Sequence, residues 1–254
     1  MKHPLRSVII IGATSGIGRA VTERLVAEGV RVGIAGRRED RLKEIQEQLG
    51  AECISYRVMD VTEASATVAL DELIAEVGTP DALLYASGIG KQNPTLDADI
   101  ELRTVDTNCV GMVRLVDHFV NYVKRTPAYN KKHKAHIAVI TSVAGTMGMG
   151  PAPAYSATKS MQSTYLVALA QHARMEKIAI SVGDIRPGFV ATDILNPEKR
   201  YPMLMSVERA SQFVVRSLRR YQRITIFDWR YRLLVGFWRC IPRCVWERLT
   251  MIRN

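Results

Sequence analysis

Short apolar runs alternate along this chain with longer segments whose apolar residues recur at helical spacing. The short runs predict strands at Val8–Ile11, Val30–Ala35, Cys53–Val58, Ala82–Tyr85, His136–Thr141, Ile178–Asp184 and Ile224–Phe227. The longer segments predict helices at Gly18–Glu28, Arg38–Leu49, Glu63–Val77, Glu101–Lys124, Ala157–Met175 and Ser206–Tyr221. Such alternation is typical of a parallel sheet with helices on both faces. We therefore expect an α/β fold built on one doubly wound parallel sheet.

The composition shows no repeat and no break before about residue 222. We therefore expect one domain over residues 1–254, with a core of about 5–227. Residues 228–254 interleave arginines with aromatic and aliphatic residues, and all three tryptophans lie there. This stretch predicts a basic, aromatic-rich helical extension, which Pro242 would divide into two short helices.

Charge is distributed unevenly along the chain, whose formal net charge is +10. The segment from Val214 to Asn254 contains ten arginines and only two carboxylates, Asp228 and Glu247. Its formal charge is therefore +8, and the rest of the chain carries only +2. A nearly neutral main part does not favour nucleic-acid binding, and we expect none. The positive charge belongs to the C-terminal extension.

The sequence contains no uncharged apolar run of eighteen residues, so we do not expect a membrane-spanning helix. The apolar run near the N-terminus leads directly into a glycine loop and predicts a buried strand rather than a secretory signal. Four scattered cysteines then favour reduced thiols and a cytoplasmic location. Cys240 and Cys244 are too few for a zinc site, and we expect no metal centre.

A glycine-rich turn lies between the first strand and the first helix, in the sequence Gly12-Ala13-Thr14-Ser15-Gly16-Ile17-Gly18. Glycines at such a turn let the backbone approach a pyrophosphate, and the helix N-terminus offers amides to the anion. The position of the turn therefore predicts a dinucleotide site in a Rossmann-type sheet.

The end of the second strand bears on the choice of cofactor. A carboxylate at this point would bind the ribose 2′-hydroxyl of NAD, whereas here Gly36 is followed by Arg37. A guanidinium can pair with a 2′-phosphate, which favours NADP(H) over NAD(H); alternatively, Arg37 and Arg38 simply begin a solvated helix. Asp60 and Val61 end the third strand, where we expect Asp60 to accept a hydrogen bond from the adenine amine.

Tyr155 and Lys159 are one helical turn apart, and Ser142 ends the preceding strand thirteen residues earlier. A tyrosine is a weak base at neutral pH because its ordinary pKa is about 10. We expect the Lys159 ammonium, together with a cationic nicotinamide ring, to lower that pKa. Ser142 would then bind a carbonyl oxygen while Tyr155 exchanges a proton with it.

In this order the motifs resemble the short-chain dehydrogenase/reductase family over roughly residues 5–220. The resemblance implies catalytic roles for Ser142, Tyr155 and Lys159, and a role for Asn108 in anchoring a water of the proton relay. It also implies that the segment from Pro187 and Gly188 through Val190 to Thr192 lies beside the nicotinamide. Ser15 and Arg37 match the phosphate-binding positions of NADP-preferring members.

The chain departs from the family pattern in two places. The fourth strand ends Tyr85-Ala86-Ser87-Gly88, where the family usually has Asn-Asn-Ala-Gly, so Ala86 lacks the side-chain hydrogen bonds of the family asparagine. Gly88 is retained. The second departure is the extension over 228–254, which either packs over the substrate cleft or a partner subunit, or contacts an anionic membrane surface.

The loops after the fourth, fifth and sixth strands predict the substrate pocket. Their apolar residues favour a hydrophobic carbonyl or alcohol, such as a lipid, steroid or fatty-acyl derivative: Ile89, Met147, Met149, Phe189, Leu195, Tyr201, Met203 and Leu204. Arg186 and Arg200 could instead bind an anionic group.

The sequence therefore predicts an NADP(H)-dependent oxidoreductase, and the resemblance implies a homodimer or homotetramer. The alternatives are a non-catalytic NADP-binding regulatory or scaffold protein, and a sugar-nucleotide epimerase or dehydratase. The intact serine, tyrosine and lysine set argues against the first alternative. The second usually needs a longer C-terminal substrate domain.

Overall fold

The computed structural model describes residues 5–196 and 198–249. Its strands are β1 (Ser7–Ile11), β2 (Arg31–Gly36), β3 (Ile54–Val58), β4 (Ala82–Tyr85), β5 (Ala135–Ile140), β6 (Ile180–Arg186) and β7 (Ile224–Ile226). Its α-helices are α1 (Gly16–Ala27), α2 (Glu39–Leu49), α3 (Ala66–Val77), α4 (Ala98–Val105), α5 (Gly111–Arg125), α6 (Pro153–Met175), α7 (Val207–Arg220), α8 (Trp229–Cys240) and α9 (Arg243–Trp246).

The strands form one seven-stranded parallel sheet in the order β3-β2-β1-β4-β5-β6-β7. The strand order reverses direction between β1 and β4, which is where ligands bind in open sheets of this kind. The sequence prediction of a doubly wound Rossmann-type sheet is thus confirmed.

Both faces of the sheet are buried, as the purely apolar first strand predicts. Side chains of β1 alternate between the two layers: Ile9 and Ile11 pack in one apolar core, and Val8 and Ile10 pack in the other. All five residues of β1 are buried, which fixes the start of the glycine-rich turn that follows Ile11.

The helix predicted over Glu101–Lys124 is interrupted in the structure. Between α4 and α5 lies a π-helical turn, Asp106–Val110, which contains Asn108. Such a turn inserts one residue and leaves the period of apolar residues unchanged on either side, so the period alone does not locate it. Gly111 follows it, and a Cβ there would lie 2.7 Å from Val61 Cγ2, so α5 passes close to the end of β3.

The C-terminal extension divides at Pro242 as predicted, into α8 and the single turn α9. Tyr231 and Val235 are buried in a small apolar cluster with Val143, so one face of α8 packs on the core. Cys240 and Cys244 are both exposed. Among the helices of the described residues, none is long and apolar enough to cross a membrane, and the predicted extension over 250–254 lies outside those residues.

Candidate active site

The glycine-rich turn joins β1 to α1 at the point where the strand order reverses. Gly12 has φ +92°, and a Cβ at this position would lie 2.5 Å from the backbone nitrogen of Ser87 after β4, so no larger residue fits. The first turn of α1, which begins at Gly16, contains no carboxylate, and the Ser15 side chain makes no capping hydrogen bond. The amides of Gly16, Ile17 and Gly18 therefore meet the requirements of an anion site at a helix N-terminus.

The two arginines after β2 have different surroundings. Arg38 lies against the turn: its Nη2 donates to Thr14 Oγ1 at 2.8 Å and to Ser15 Oγ at 2.8 Å. Arg37 is 65% exposed, and its Nη1 lies 4.0 Å from Asp60 Oδ2. Arg38 therefore contacts the glycine-rich turn, and the pairing of Arg37 with a 2′-phosphate stays a prediction.

Asp60 and Val61 follow β3 on the side of the sheet where the glycine-rich turn lies. Asp60 Oδ1 accepts from Thr62 N at 2.9 Å and from Thr62 Oγ1 at 2.7 Å. Partial burial acts to raise the pKa of Asp60, but these bonds and the Arg37 charge outweigh it and lower that pKa overall. Asp60 is therefore ionised and acts as an acceptor, while Val61 is buried.

Ser142, Tyr155 and Lys159 come together at the start of α6. Tyr155 and Lys159 lie on one helix face, and the Lys159 Nζ is 5.7 Å from the centre of the Tyr155 ring. Ser142 Oγ accepts from Ala144 N at 3.1 Å, and the Ser142 hydroxyl acts to lower the pKa of Tyr155. Strand β5 ends at Ile140, so Ser142 begins a 3₁₀ turn rather than ending the strand as predicted.

Burial shifts the pKa values of both Tyr155 and Lys159. Burial raises the pKa of Tyr155, and the Ser142 hydroxyl offsets this only in part. Burial lowers the pKa of Lys159 to about 8, against opposing contributions from Cys109 and Asp184. The expectation that Lys159 and a cationic nicotinamide together lower the pKa of Tyr155 involves the bound cofactor and stays a prediction; in the chain alone, Tyr155 carries its proton near neutral pH.

Asn108 holds the loop that follows β4. Its Oδ1 accepts from Ile89 N at 2.9 Å, and its Nδ2 donates to Ile89 O at 2.8 Å. Gly88 precedes this contact, and a Cβ there would lie 3.3 Å from Asn108 Oδ1 and 3.4 Å from Lys159 Nζ. The side chain of Asn108 thus places Gly88 beside the lysine. Although Ala86 replaces the family asparagine, its backbone N still donates to Ile11 O at 2.8 Å.

Gln162 was not among the residues predicted from sequence. It is fully buried one turn after Lys159, and its Oε1 accepts from Lys159 Nζ at 3.1 Å. Its Nε2 donates to the backbone carbonyl of Asn108 at 2.7 Å. The sequence did contain a signal for Gln162: it is a polar residue three positions after the lysine, on the buried face of the helix.

The segment after β6 closes the site from the other side. Val143 N donates to Pro187 O at 3.0 Å, and Thr192 Oγ1 donates to Val190 O at 3.3 Å. A Cβ added to Gly16 would lie 3.1 Å from Thr192 Cγ2, so this segment meets the glycine-rich turn. Residues 187–192 therefore lie beside the glycine-rich turn, and their place beside the nicotinamide stays a prediction.

Helix α8 packs on this same segment. A Cβ at Gly188 would lie 2.1 Å from Tyr231 Cζ, so the glycine makes room for the tyrosine ring. Tyr231 Oη accepts from Phe189 N and donates to Pro202 O, each at 3.1 Å. The extension therefore fixes the loops beside the site.

Three of the predicted pocket residues, Phe189, Tyr201 and Met203, gather beneath α8. The Phe189 and Tyr201 rings lie 4.8 Å apart, and Phe189 and Met203 pack on the cluster of Val143, Tyr231 and Val235. Leu204, by contrast, is 51% exposed. The alternative role for Arg186 in binding an anionic group is wrong, because Arg186 is buried and its Nη2 pairs with Asp184 Oδ2 at 2.6 Å.

Comparison with known proteins gives the family. The model of the short chain dehydrogenase family matches residues 6–201. The chain therefore belongs to the short chain dehydrogenase family and is an oxidoreductase of that family, which confirms the resemblance inferred from the motifs.

Two curated relatives and one solved structure illustrate the similarity. An uncharacterized oxidoreductase of Myxococcus xanthus is 26% identical over 249 residues, covering 95% of each chain. The 3-oxoacyl-[acyl-carrier-protein] reductase FabG of Escherichia coli is 30% identical over 204 residues, covering 78% of this chain and 80% of the relative. A short chain dehydrogenase/reductase of Burkholderia phymatum, solved in complex with NAD, superimposes with a TM-score of 0.80 at 17% identity and covers 93% of each chain.

Proposed function

We propose that this protein is an NADP(H)-dependent oxidoreductase that interconverts a ketone or aldehyde and an alcohol on a hydrophobic substrate. The observation that carries the proposal is the meeting of Ser142, Tyr155 and Lys159 beside Gly88, at the point where the strand order reverses. When bound, the nicotinamide would supply or accept the hydride. The chain itself has to orient the carbonyl, exclude water and move one proton.

The proton is assigned to Tyr155. Because the pKa of Tyr155 is raised, its hydroxyl is protonated near neutral pH and can donate to the oxygen of a carbonyl that is being reduced. Ser142 would hold that oxygen by a hydrogen bond, and the Lys159 ammonium would bind the ribose hydroxyls and stabilise developing negative charge on Tyr155. Asn108 keeps the loop around Gly88 in place. In this arrangement Tyr155 donates the proton during reduction and accepts it in the reverse reaction.

The cofactor would lie along the edge of the sheet that carries these groups. The residues we propose to hold it are Gly12, Thr14, Ser15, Gly16, Ile17, Gly18, Arg37, Asp60, Val61, Gly88, Tyr155, Lys159, Pro187, Gly188, Val190 and Thr192. We add Arg38, since it bonds to the hydroxyls of Thr14 and Ser15. Two guanidinium groups near a position without a carboxylate support NADP(H) over NAD(H).

The substrate class rests on the apolar loop residues. Phe189 and Met203 pack against the apolar cluster that includes Tyr231 of α8, and Tyr201 contacts Phe189, so the loops beside the proposed site are apolar, which supports a substrate with an apolar body. The relatives named as 3-oxoacyl-[acyl-carrier-protein] reductases act on an acyl-chain ketone by their name, which supports a fatty-acyl derivative.

We also propose a cytoplasmic homodimer or homotetramer whose subunit is one catalytic domain. Its core would span about 5–227, with 228–254 as an extension that can contact the inner face of a membrane. Family membership supports assembly, and the packing of Tyr231 on Gly188 supports an extension that belongs to the catalytic unit.

The test is a screen of NADPH oxidation across ketone and aldehyde classes, with NADH in a parallel series. We expect turnover of an apolar carbonyl with NADPH preferred. If NADPH binds but no carbonyl is reduced, the protein is a nucleotide-binding regulator or scaffold and the proposal fails.

A further inference from the structure

Helix α8 exposes a stripe of large apolar side chains. Trp229, Leu233 and Phe237 follow one another at four-residue spacing and are 67%, 65% and 66% exposed. Tyr231 and Val235, on the opposite face, are buried against the core. The stripe is therefore not needed for packing, and side chains of this size rarely lie together in water without a partner.

Arginines flank the stripe on both sides. At 100° per residue, Arg230 lies on one side of it, and Arg232 and Arg239 lie on the other. Arg230 pairs with Asp228 at 2.6 Å, whereas no ion pair involves Arg232 or Arg239 within residues 5–196 and 198–249. An apolar ridge between cationic flanks matches the boundary between acyl chains and phosphate headgroups.

A second copy of the chain fits this face less well. A two-fold axis through the stripe would bring the arginine flanks of one copy against those of the other, and like charges at an interface are repulsive. Phosphate headgroups supply the opposite charge. We therefore infer that the outward face of α8 docks on the surface of an anionic phospholipid membrane.

Because α8 packs on the loops beside the proposed substrate site, docking would bring that site close to the lipid. Its inner face holds Phe189 and Pro202 through Tyr231, and Trp246 of α9 donates from Nε1 to Gly148 O at 2.7 Å. These loops border the proposed substrate site, so a docked protein would receive apolar carbonyls dissolved in lipid. This consequence rests on the proposed oxidoreductase activity, whereas the docking deepens the proposed membrane contact of residues 228–254 and does not require that activity.

The test is co-sedimentation of the full chain with vesicles of phosphatidylcholine alone and of phosphatidylcholine with phosphatidylglycerol. We expect binding to the anionic vesicles only, and the double variant Leu233→Glu/Phe237→Glu should weaken it more than tenfold. Removing one unpaired charge with Arg232→Ala should weaken it about fivefold. Leu102→Glu on α4 is the matched control, since Leu102 is 61% exposed, and it should bind like the wild type.

Two outcomes would overturn the inference. One is equal sedimentation of the wild type and the double glutamate variant. The other is a change of mass in light scattering on Leu233→Glu without any vesicle binding, which would make the stripe a protein interface. Quenching of Trp229 fluorescence by brominated lipid, with Trp229→Phe as reference, reports contact by this residue and requires no turnover.

Gln162 carries a second inference, from separate contacts. It lies between Lys159 Nζ and the Asn108 carbonyl and hydrogen-bonds to both, at 3.1 and 2.7 Å. Lys159 Nζ also donates to Ile140 O at 3.0 Å. We infer that Gln162 is a positioning residue, which ties the lysine to the π-helical turn and holds its ammonium in place.

The test follows the titration of Lys159 directly. The titratable groups around it are Tyr155 on α6, Cys109 in the π-helical turn and Asp184 on β6. Gln162→Met keeps the volume but loses the acceptor, so the ¹³Cε signal of Lys159 should titrate about one pH unit lower. Gln162→Glu places a carboxylate beside the ammonium and should move the midpoint upward.

The two variants distinguish positioning from simple packing. Lys159→Met assigns the signal, and the alkaline limb of the pH profile of turnover should move in the same directions. If both variants lose stability while the Lys159 midpoint stays in place, Gln162 has only a structural role and the inference fails. Because the NMR titration needs no turnover, it decides this question even if the proposed reaction is not found.

Discussion

The start of α6 and the outward face of α8 depart from the usual distribution of side chains in opposite directions. At the start of α6, Lys159 and Gln162 are buried with the polar Asn108. On α8, Trp229 and Leu233 are exposed although they are apolar. Burying polar groups costs free energy unless they are hydrogen-bonded, and exposing a row of apolar ones leaves surface that a partner can cover.

The two regions differ in where the free-energy cost of these side chains is offset. Lys159 and Gln162 have their hydrogen-bond partners within the chain, at Ile140 and Asn108. The apolar stripe on α8 is instead flanked by arginines, and it would be covered by a surface outside the chain. We therefore expect substitutions at the first region to alter chemistry in solution, and substitutions at the second to be silent until a surface is supplied.

The largest effect is expected at Tyr155. Tyr155→Phe keeps the ring that packs on Gly90 but removes the proton donor, so kcat for carbonyl reduction should fall about a thousandfold. The Kd for NADPH, from fluorescence titration, should change little. Undiminished turnover in this variant would remove the tyrosine from the mechanism.

A pH-dependent effect on stability is expected at Lys159. Its pKa is about 8 in the folded protein and 10.5 when unperturbed, so between these values the unfolded chain binds more protons. The unfolding free energy of the wild type, relative to Lys159→Met, should therefore rise by about 2 kcal/mol from pH 7.5 to pH 10. The cost of the buried ammonium is fully present below pH 8 and is lost as the pH rises.

Denaturant titrations at several pH values measure this difference. Lys124→Met, at an exposed position on α5, is the control for a general loss of charge. A difference for Lys159→Met that does not vary with pH would show that burial does not perturb the lysine.

The two arginines after β2, Arg37 and Arg38, should differ in their contribution to NADPH binding. Arg38→Ala should weaken NADPH binding about tenfold or more, because a charge-assisted contact near the glycine-rich turn is lost. Arg37→Ala should have a smaller effect, since that side chain is largely exposed. Fluorescence titrations with NADPH and NADH measure both effects. A larger effect at Arg37 would favour the residue assigned from the sequence, and equal losses for both cofactors would limit Arg38 to a structural role.

The smallest effects are expected for substitutions on α8, whose inner and outward faces should contribute differently to the unfolding free energy. Tyr231→Phe removes hydrogen bonds to Phe189 and Pro202 and should lower the unfolding free energy by about 1 kcal/mol. Leu233→Ala should change it by less than about 0.5 kcal/mol, because the side chain is exposed. Equal losses in thermal or denaturant unfolding would mean that the outward face is also packed.

The sequence predicted the sheet well because a central parallel strand is apolar throughout. Strand β4 has the predicted bounds Ala82–Tyr85, and α2 differs by one residue at its start. The π-helical turn at Asn108 was missed, since an inserted residue leaves the apolar period unchanged on either side. Its contacts with Ile89 are set by the tertiary fold.

The sequence indicated which residues form the candidate site, but it indicated their contacts less well. Spacing alone placed Tyr155 and Lys159 on one helix face. Spacing does not determine which of two neighbouring arginines turns toward a loop, and the contact of Arg38 with Thr14 was not predicted. The protonation of Tyr155 depends on burial, which a local pattern does not report.

The central claim is that the Tyr155 hydroxyl delivers the proton as a hydride reaches the carbonyl carbon. The most direct test incubates the enzyme with NADPH deuterated at C4 of the nicotinamide and a panel of apolar ketones, aldehydes and 3-oxoacyl thioesters. Mass spectrometry should find deuterium on the carbinol carbon of a wild-type product, and almost none with Tyr155→Phe at equal NADPH occupancy. Equal labelling by both proteins, or no labelling by wild type with NADPH bound, would contradict the claim.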